Sequence, residues 1–313
     1  MPPMETPYSF WIGFNIAVMV LLVLDMTVLR QERRGPSMRE SILTTLVWVA
    51  LAVGFGLWLT GRMGTQKGSE FFAGYVIEYS LSMDNLFLFV LIFANFHVAP
   101  DQQRRLLFYG VIGALIMRGA MIGAGVALLD NFAWIIYLFG AYILYTGFHM
   151  LLHKADKEIN VERHVVVRLA RRFLPLSSGD HAGHFVVRED GRWKFTLLFL
   201  VLLVVELTDL VFALDSIPAI FGVTRDSYIV YTSNVCAILG LRSLYFVLAG
   251  AVQSLVYLHT GLACVLIFIG AKMVAEDFFP IPTEISLLVV GGILAVAVIA
   301  SLIKAKAGKR SAA

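Results

Sequence analysis

Two apolar stretches of the chain contain pairs of carboxylates with the same spacing. The first, GYVIEYSLSMDNLFLFVLIF, places Glu78 and Asp84 six residues apart. The second, VELTDLVFALDSIPAIF, places Asp209 and Asp215 six residues apart, and Glu206 stands just before them. An ionised carboxylate inside hydrocarbon costs roughly 2.5–3.5 kcal/mol on insertion scales, so a membrane span keeps one for a partner or a function. Five acids on two related spans therefore indicate a cation site inside a membrane.

The candidate ligands in these stretches all offer oxygen atoms to a cation. Asn85 follows Asp84, and Ser216 follows Asp215. Carboxylate, amide and hydroxyl oxygens suit Mg²⁺, Ca²⁺ or Mn²⁺ rather than Cu(I) or Zn²⁺. The predicted metal-binding residues are Glu78, Asp84, Asn85, Glu206, Asp209, Asp215 and Ser216. We expect Cys236 and Cys264, which lie on different apolar segments, to be packing residues.

The elements that must position these acids are membrane-spanning helices. Apolar residues make up 59% of the 313 positions, charged residues make up 15%, and the mean hydropathy is +0.80. About 20 apolar residues in helical form cross the hydrocarbon core of a bilayer. The fold class is therefore predicted to be an all-α polytopic membrane protein with about nine spans. The predicted spans are 9–29, 41–60, 70–95, 107–129, 132–152, 195–220, 228–250, 258–276 and 283–303.

The distribution of lysine and arginine predicts the orientation of the chain. If the N-terminus is outside, the segments that face the cytoplasm contain 19 of the 25 basic residues. Three others lie in the outside segments, and the last three lie within spans. The positive-inside rule then places the N-terminus outside and the C-terminus inside, in a cytoplasmic-type membrane.

The two acidic stretches belong to a longer internal repeat. Arg118 and Arg242 follow the first and second acidic pairs, and Gly147 and Gly270 follow in the same order. Each unit contains three spans, and an odd number inserts the two copies in opposite orientations. The sequence therefore predicts two inverted three-helix repeats, the arrangement in which transporters bind substrate at the midplane.

The predicted repeats divide the chain into five parts. Residues 1–69 form a leading two-helix hairpin, 70–152 the first repeat, and 195–277 the second repeat. Residues 278–313 contain the final span and a basic tail. Residues 153–194 form a basic cytoplasmic loop, for which we expect an amphipathic helix near 160–173 and a turn at 189–191.

A six-residue spacing does not place two side chains on one face of a helix. It rotates the second side chain by about 240°, so either the helix packs on two sides or it unwinds between the acids. Pro218 favours unwinding in the second stretch, because proline has no amide hydrogen to donate to the carbonyl of Leu214.

Other charged residues within the spans are expected to support the site. Arg118, Arg242 and Lys272 provide positive charge, and we expect the two arginines to orient acids. Five acids and three bases leave two negative charges, which match one divalent cation. Asp25, near the end of the first span, is either a gate ligand or an interfacial carboxylate that needs no partner, and we expect the second.

These motifs resemble those of a known family. SLSMDNLFLF and VELTDLVFALDSIPAIF are similar to the two signature segments of the TerC/Alx family, integral membrane proteins associated with tellurium resistance. The similarity covers about residues 8–305, and the long central loop is closer to the Alx branch. The resemblance implies a bacterial inner-membrane protein that exports manganese, with the motif acids as its metal site. The tellurite association is a phenotype, and no oxyanion site is indicated at the midplane.

Two classes of function remain open from the sequence. The first is a transporter that exports divalent cations, with Mn²⁺ favoured and with proton antiport as the coupling that spare carboxylates allow. The second is a non-transporting membrane scaffold that binds metal and assists a metal or tellurite stress response or the metallation of exported proteins. We expect no enzyme, no prosthetic group and no nucleic-acid partner; besides the cation, the partner is the lipid bilayer. The oligomeric state is left open.

Overall fold

The computed structural model describes residues 7–29, 37–132, 134–152, 175, 177, 183–189, 191–251, 257–275 and 277–311. Within these ranges, the side chains of residues 26–29, 84, 87, 250, 251 and 305–311 are not described. The described helices are α1 Tyr8–Leu29, α2 Met38–Met63, α3 Thr65–Asn95, α4 Pro100–Asn131, α5 Ile135–Leu152, α6 Leu197–Phe221, α7 Ser227–Leu239, α8 Leu241–Ala251, α9 Leu258–Ala275 and α10 Thr283–Ser311. Two strands, β1 Val186–Glu189 and β2 Arg192–Phe195, lie between α5 and α6.

The helices confirm an all-α polytopic membrane protein. Eight described helices are long and apolar enough to cross a bilayer. The predicted span 228–250 is α7 and α8 together, which are bent by 43° at Gly240. Counted as one bent span, this pair gives up to nine spans within the described residues.

Local sequence signals account for several helix starts. Ser37 and Glu40 form a reciprocal capping box at the start of α2. The Asp226 carboxylate accepts the backbone N–H groups of Tyr228 and Ile229 at the start of α7. Pro100 occupies the first turn of α4, where its missing N–H would have had no helical partner. The starts of these helices are therefore encoded locally.

The unwinding that was predicted beside Pro218 is wrong, because α6 is continuous through Asp215 and Pro218. The proline stands only three residues before the end of the helix. Its missing N–H removes a single backbone hydrogen bond there, and the helix continues to Phe221. The other alternative holds instead: α6 packs against α4 on one side and α5 on another.

Helices α5 and α9 cross with their backbones in close contact. A Cβ atom added to Gly270 would lie 2.7 Å from the amide nitrogen of Leu144 and 2.8 Å from the carbonyl oxygen of Gly140. A Cβ atom on Gly147 would lie 2.9 Å from the amide nitrogen of Ile267. Small residues let membrane helices approach in this way. The repeated glycines of the sequence, Gly147 and Gly270, therefore both lie in this crossing.

The helix contacts follow a reciprocal pattern. Helix α3 packs on α7, α4 packs on α6, and α5 packs on α9. Exchanging α3, α4 and α5 for α6, α7 and α9 reproduces the same set of pairs. Such a pattern is what a two-fold relation between the units would give, and the inverted repeat itself stays a prediction.

A β-hairpin occupies part of the segment between α5 and α6. It pairs Glu189 with Arg192 around the turn, where Gly191 has a φ of +75° that glycine tolerates. The turn predicted at 189–191 is thus confirmed, whereas the strands on either side were not predicted. The hairpin segment contacts α4, because Arg105 donates to the carbonyl of Gly183 at 3.2 Å. The amphipathic helix expected near 160–173 lies outside the described residues.

Polar contacts connect the start of α3 with the α6–α7 connection, at the face of the protein where α1 begins. Lys67 is 3.1 Å from Glu70 and 2.9 Å from Asp226, which belongs to the connection between α6 and α7. The Thr224 hydroxyl also donates to Glu70, at 2.6 Å. These residues belong to segments that the predicted order of spans places on one face.

The close crossing of α5 and α9 predicts a strong effect of one methyl group. Gly270→Ala should lower the thermal unfolding midpoint in detergent, because backbone atoms block the new Cβ and overpacking costs about 1–3 kcal/mol. Gly291→Ala is the control, since a Cβ at Gly291 meets nothing within 4 Å. Unfolding of both variants at the wild-type temperature would contradict the crossing.

Candidate metal-ion site

Arg118, near the middle of α4, lies between a carboxylate of α3 and a carboxylate of α6. Its Nη1 group pairs with Glu78. Its Nη2 and Nε groups donate to the two oxygens of Asp209, at 3.0 and 3.2 Å. All three side chains are 8% exposed or less. The guanidinium therefore joins the two acidic stretches through charge-assisted hydrogen bonds, which are among the stronger kinds.

Two uncharged side chains complete the hydrogen bonding of Glu78. The Asn234 amide of α7 donates to Oε2 at 2.9 Å, and the Ser82 hydroxyl donates to Oε1 at 2.9 Å. Asn234 also accepts from Arg118 at 3.4 Å. Neither residue was predicted from the sequence. Ser82 stands one helical turn after Glu78, where side chains of a helix meet, and Asn234 is a polar amide inside a predicted span. Both positions could therefore have been predicted as polar partners of the acids.

Glu206 lies in a small cavity beside this cluster. The cavity has a volume of about 20 Å³, enough for one water molecule. Asp209 and Arg242 also line it. A Cβ atom on Gly113 of α4 would overlap the Glu206 carboxylate, so glycine leaves the space that the carboxylate occupies. No side-chain hydrogen bond or ion pair to Glu206 is found among the described residues. It is thus a partly buried carboxylate that faces a cavity.

Asp215 lies apart from the Arg118 cluster, on the side of α6 that faces α5. The Thr146 hydroxyl donates to it at 3.4 Å, and the Tyr142 hydroxyl also contacts it. Ser216 is buried, and its hydroxyl has no hydrogen-bond partner in the described structure. Asn85 is half-buried on α3. The backbone of Asp84 belongs to α3, but its side chain is outside the described set.

Arg242 pairs with Asp25 of α1, and this corrects two expectations. Asp25 has a partner, since the start of α8 brings a guanidinium to it. Arg242 therefore does not serve only to balance the five central acids, as the charge count had assumed. Lys272 is buried on α9.

The structure thus brings some predicted ligands together and separates others. Glu78 and Asp209 share Arg118, Glu206 and Asp209 share a cavity, and Asp215 stands on another side of α6. Among the described residues, no three His, Cys, Asp or Glu side chains are close enough to hold a metal ion.

Comparison with known proteins identifies the family. The family described as integral membrane protein TerC matches residues 63–309. The chain belongs to the TerC family. This match includes every residue of the cluster around Arg118 as well as Glu206 and Asp215.

Similar proteins extend the match to nearly the whole chain. A membrane protein of Myxococcus xanthus, described as uncharacterized, is 44% identical over 97% of this chain and 95% of its own. The Alx protein of Escherichia coli K12, described as a candidate membrane-bound redox modulator, is 44% identical over 91% of each chain. A membrane protein of Rickettsia felis is 37% identical over 94% of this chain and 97% of its own. No solved structure matches the chain.

The Arg118 cluster predicts a large loss of stability when its cation is removed. Arg118→Met should lower the thermal unfolding midpoint strongly, because removing one partner of a buried ion pair costs about 3–5 kcal/mol. The triple variant Arg118→Met/Glu78→Gln/Asp209→Asn should recover part of the loss, since no buried charge is then left unpaired.

The control for this series is Arg62→Met, because Arg62 is exposed at the end of α2. It should leave the midpoint unchanged. If Arg118→Met behaved like Arg62→Met, the central ion pair would not exist as described.

Proposed function

We propose that the protein is a transporter that exports divalent metal cations, with Mn²⁺ favoured, through carboxylates at the middle of its spans. The observation that carries the proposal is Glu206, a carboxylate that faces a cavity beside Asp209. Intramembrane acids that lack a permanent counterion are expensive, and they mark ion pathways in membrane proteins. A purely structural ion pair would not require this third carboxylate.

The local charge supports a divalent cargo. When all three carboxylates are ionised, Glu78, Asp209 and Glu206 carry three negative charges. Arg118 contributes one positive charge, so two negative charges remain near the cavity. Arg242 lines the cavity but is paired with Asp25. A divalent cation would bring the region around the cavity close to neutrality, which the low dielectric of a membrane interior favours.

The other predicted ligands complete the proposal. Oxygen ligands favour hard cations over soft ones. Asp84, Asn85, Asp215 and Ser216 lie further along α3 and α6, and we assign them to the same ion pathway on the resemblance of their two motifs to those of manganese exporters. The outward direction and the bacterial inner membrane follow from the same resemblance and from the distribution of basic residues.

The description of the Alx relatives as redox modulators suggests a different chemistry. Cys236 and Cys264 are both free, on α7 and α9, and do not form a disulfide with each other. We base the function instead on the carboxylates, which both motifs contain. A metal-binding scaffold that does not transport remains the alternative, and a flux measurement distinguishes it.

The first functional test measures Mn²⁺ movement in proteoliposomes. Glu206→Gln should raise the Mn²⁺ concentration for half-maximal transport by about tenfold or more, because a hard cation loses a charged ligand. Glu284→Gln, at an exposed position in the first turn of α10, is the control. Wild-type protein that binds Mn²⁺ but moves none would establish the scaffold.

Gly113 provides a second variant that leaves the carboxylate in place. In Gly113→Ala the new methyl group should displace the flexible end of Glu206 and reduce transport, with little change in the unfolding midpoint. Gly123→Ala, on the same helix with no atom within 4 Å of the added Cβ, is the control and should transport normally. Equal transport by the two variants would contradict a role for the position of Glu206.

Proton coupling follows from the surplus of negative charge. When the cation leaves, spare carboxylates should take up protons, so the empty carrier returns without a buried net charge. Mn²⁺ efflux should then fall when an ionophore collapses a pH gradient, and protons should move in the opposite direction. Efflux that the ionophore does not change, with no proton movement in the opposite direction, would indicate a channel or uniporter.

The orientation is tested by labelling single cysteines placed near positions 180 and 310 in a background without Cys236 and Cys264. Both should react only with a reagent that reaches the cytoplasm, because the basic residues predict the C-terminus and the central loop on that side. Labelling of either position from outside intact cells would refute the orientation.

A further inference from the structure

A crevice of about 540 Å³ lies between α1, α2 and α7, apart from the Arg118 cluster. Its walls are nearly all apolar, and they include Phe14, Val18, Trp48, Ala52 and Leu239. Among the described helices, the backbone of α1 lies closest to α7, and α1 meets α2 at the crevice through the ring pairs Phe10–Trp58 and Phe14–Phe55. A void of this size between packed helices would forfeit many dispersion contacts if nothing occupied it.

The crevice is continuous with the surface that faces lipid. The outer side of α1 exposes Ile12, Ile16, Met19 and Val20. These apolar side chains are in contact with the bilayer in a helix that spans it. Leu51 and Trp58 of α2 line the crevice and are 44% and 43% exposed, so the crevice reaches the outer surface of the helices, where hydrocarbon chains of the bilayer can enter it.

The depth of the crevice matches one leaflet. Its lining on α1 runs from Ser9 to Leu21, which at 1.5 Å per residue is about 18 Å. Half of the hydrocarbon thickness of a bilayer is about 15 Å. We propose that one acyl chain of a phospholipid occupies this crevice, from the leaflet at the face where α1 begins.

The bound chain contacts the back of the helix that holds Asn234. Tyr228, Cys236 and Leu239 of α7 line the crevice, and Asn234 of the same helix donates to Glu78. The lipid therefore packs between α1 and the helix that completes the central hydrogen-bond network. This proposal concerns lipid binding and does not depend on which ion the protein moves.

Fluorescence quenching by brominated lipid tests the proposal. Trp48 lines the crevice and is only 8% exposed, so a chain reaches it through the crevice. A variant that keeps Trp48 and replaces Trp11, Trp58, Trp134 and Trp193 by Phe is reconstituted in phosphatidylcholine with bromine on its acyl chains. Strong quenching is expected.

Two glycines provide the matched pair for this experiment. Gly13 lines the crevice and Gly54 does not, and an added Cβ meets nothing within 4 Å at either position. In the single-tryptophan background, Gly13→Leu should fill the crevice and at least halve the quenching of Trp48. Gly54→Leu should leave the quenching unchanged.

Two results would overturn the proposal. They are an unquenched Trp48, and equal quenching in Gly13→Leu and Gly54→Leu. If Trp48 is unquenched and the protein has a dimeric mass, a second copy of the chain occupies the crevice instead. If Gly13→Leu did not fold, native mass spectrometry of the wild type would decide. One retained phospholipid would support the proposal, and a lipid-free mass would refute it.

Discussion

The arrangement of the central helices depends on one guanidinium held between two carboxylates. Arg118 can remain buried only because Glu78 and Asp209 neutralise it, and this requires α3, α4 and α6 to converge at the same depth. The backbone of α4 assists, since Gly110 and Gly113 present no side chains toward Val205 and Glu206 of α6. The ion pair thus selects which helices are neighbours, and the glycines set how closely they approach.

Much of the fold could be predicted from the sequence because the bilayer constrains it so strongly. Hydropathy identifies spans, since every backbone polar group must be satisfied within a helix and the helix must be long enough to cross. Hydropathy does not depend on the direction of the backbone, however. The bend at Gly240 therefore does not change the hydropathy of residues 228–250, which the sequence predicts as one span. The strands beside the turn at Gly191 were missed because they are only four residues long.

The partners of the charged residues were harder to predict than their positions. Spacing on a helix fixes the angle between two side chains, but it does not tell which neighbouring helix each one meets. The match of Arg118 with Arg242 in the repeat therefore suggested equivalent roles, whereas Arg118 pairs with the motif acids and Arg242 pairs with Asp25. Asn234 was missed for the same reason, because its importance comes from its contact with Glu78.

The separations along the chain between the members of the Arg118 cluster have a consequence for membrane insertion. Glu78 and Arg118 are 40 residues apart, so α3 and α4 can enter the bilayer as a hairpin whose two opposite charges already neutralise each other. Asp209 follows 91 residues after Arg118, and Asn234 follows 156 residues after Glu78. During synthesis on the ribosome, Glu78 and Arg118 can therefore form a neutral pair in the bilayer first. Asp209 is inserted later and completes the cluster.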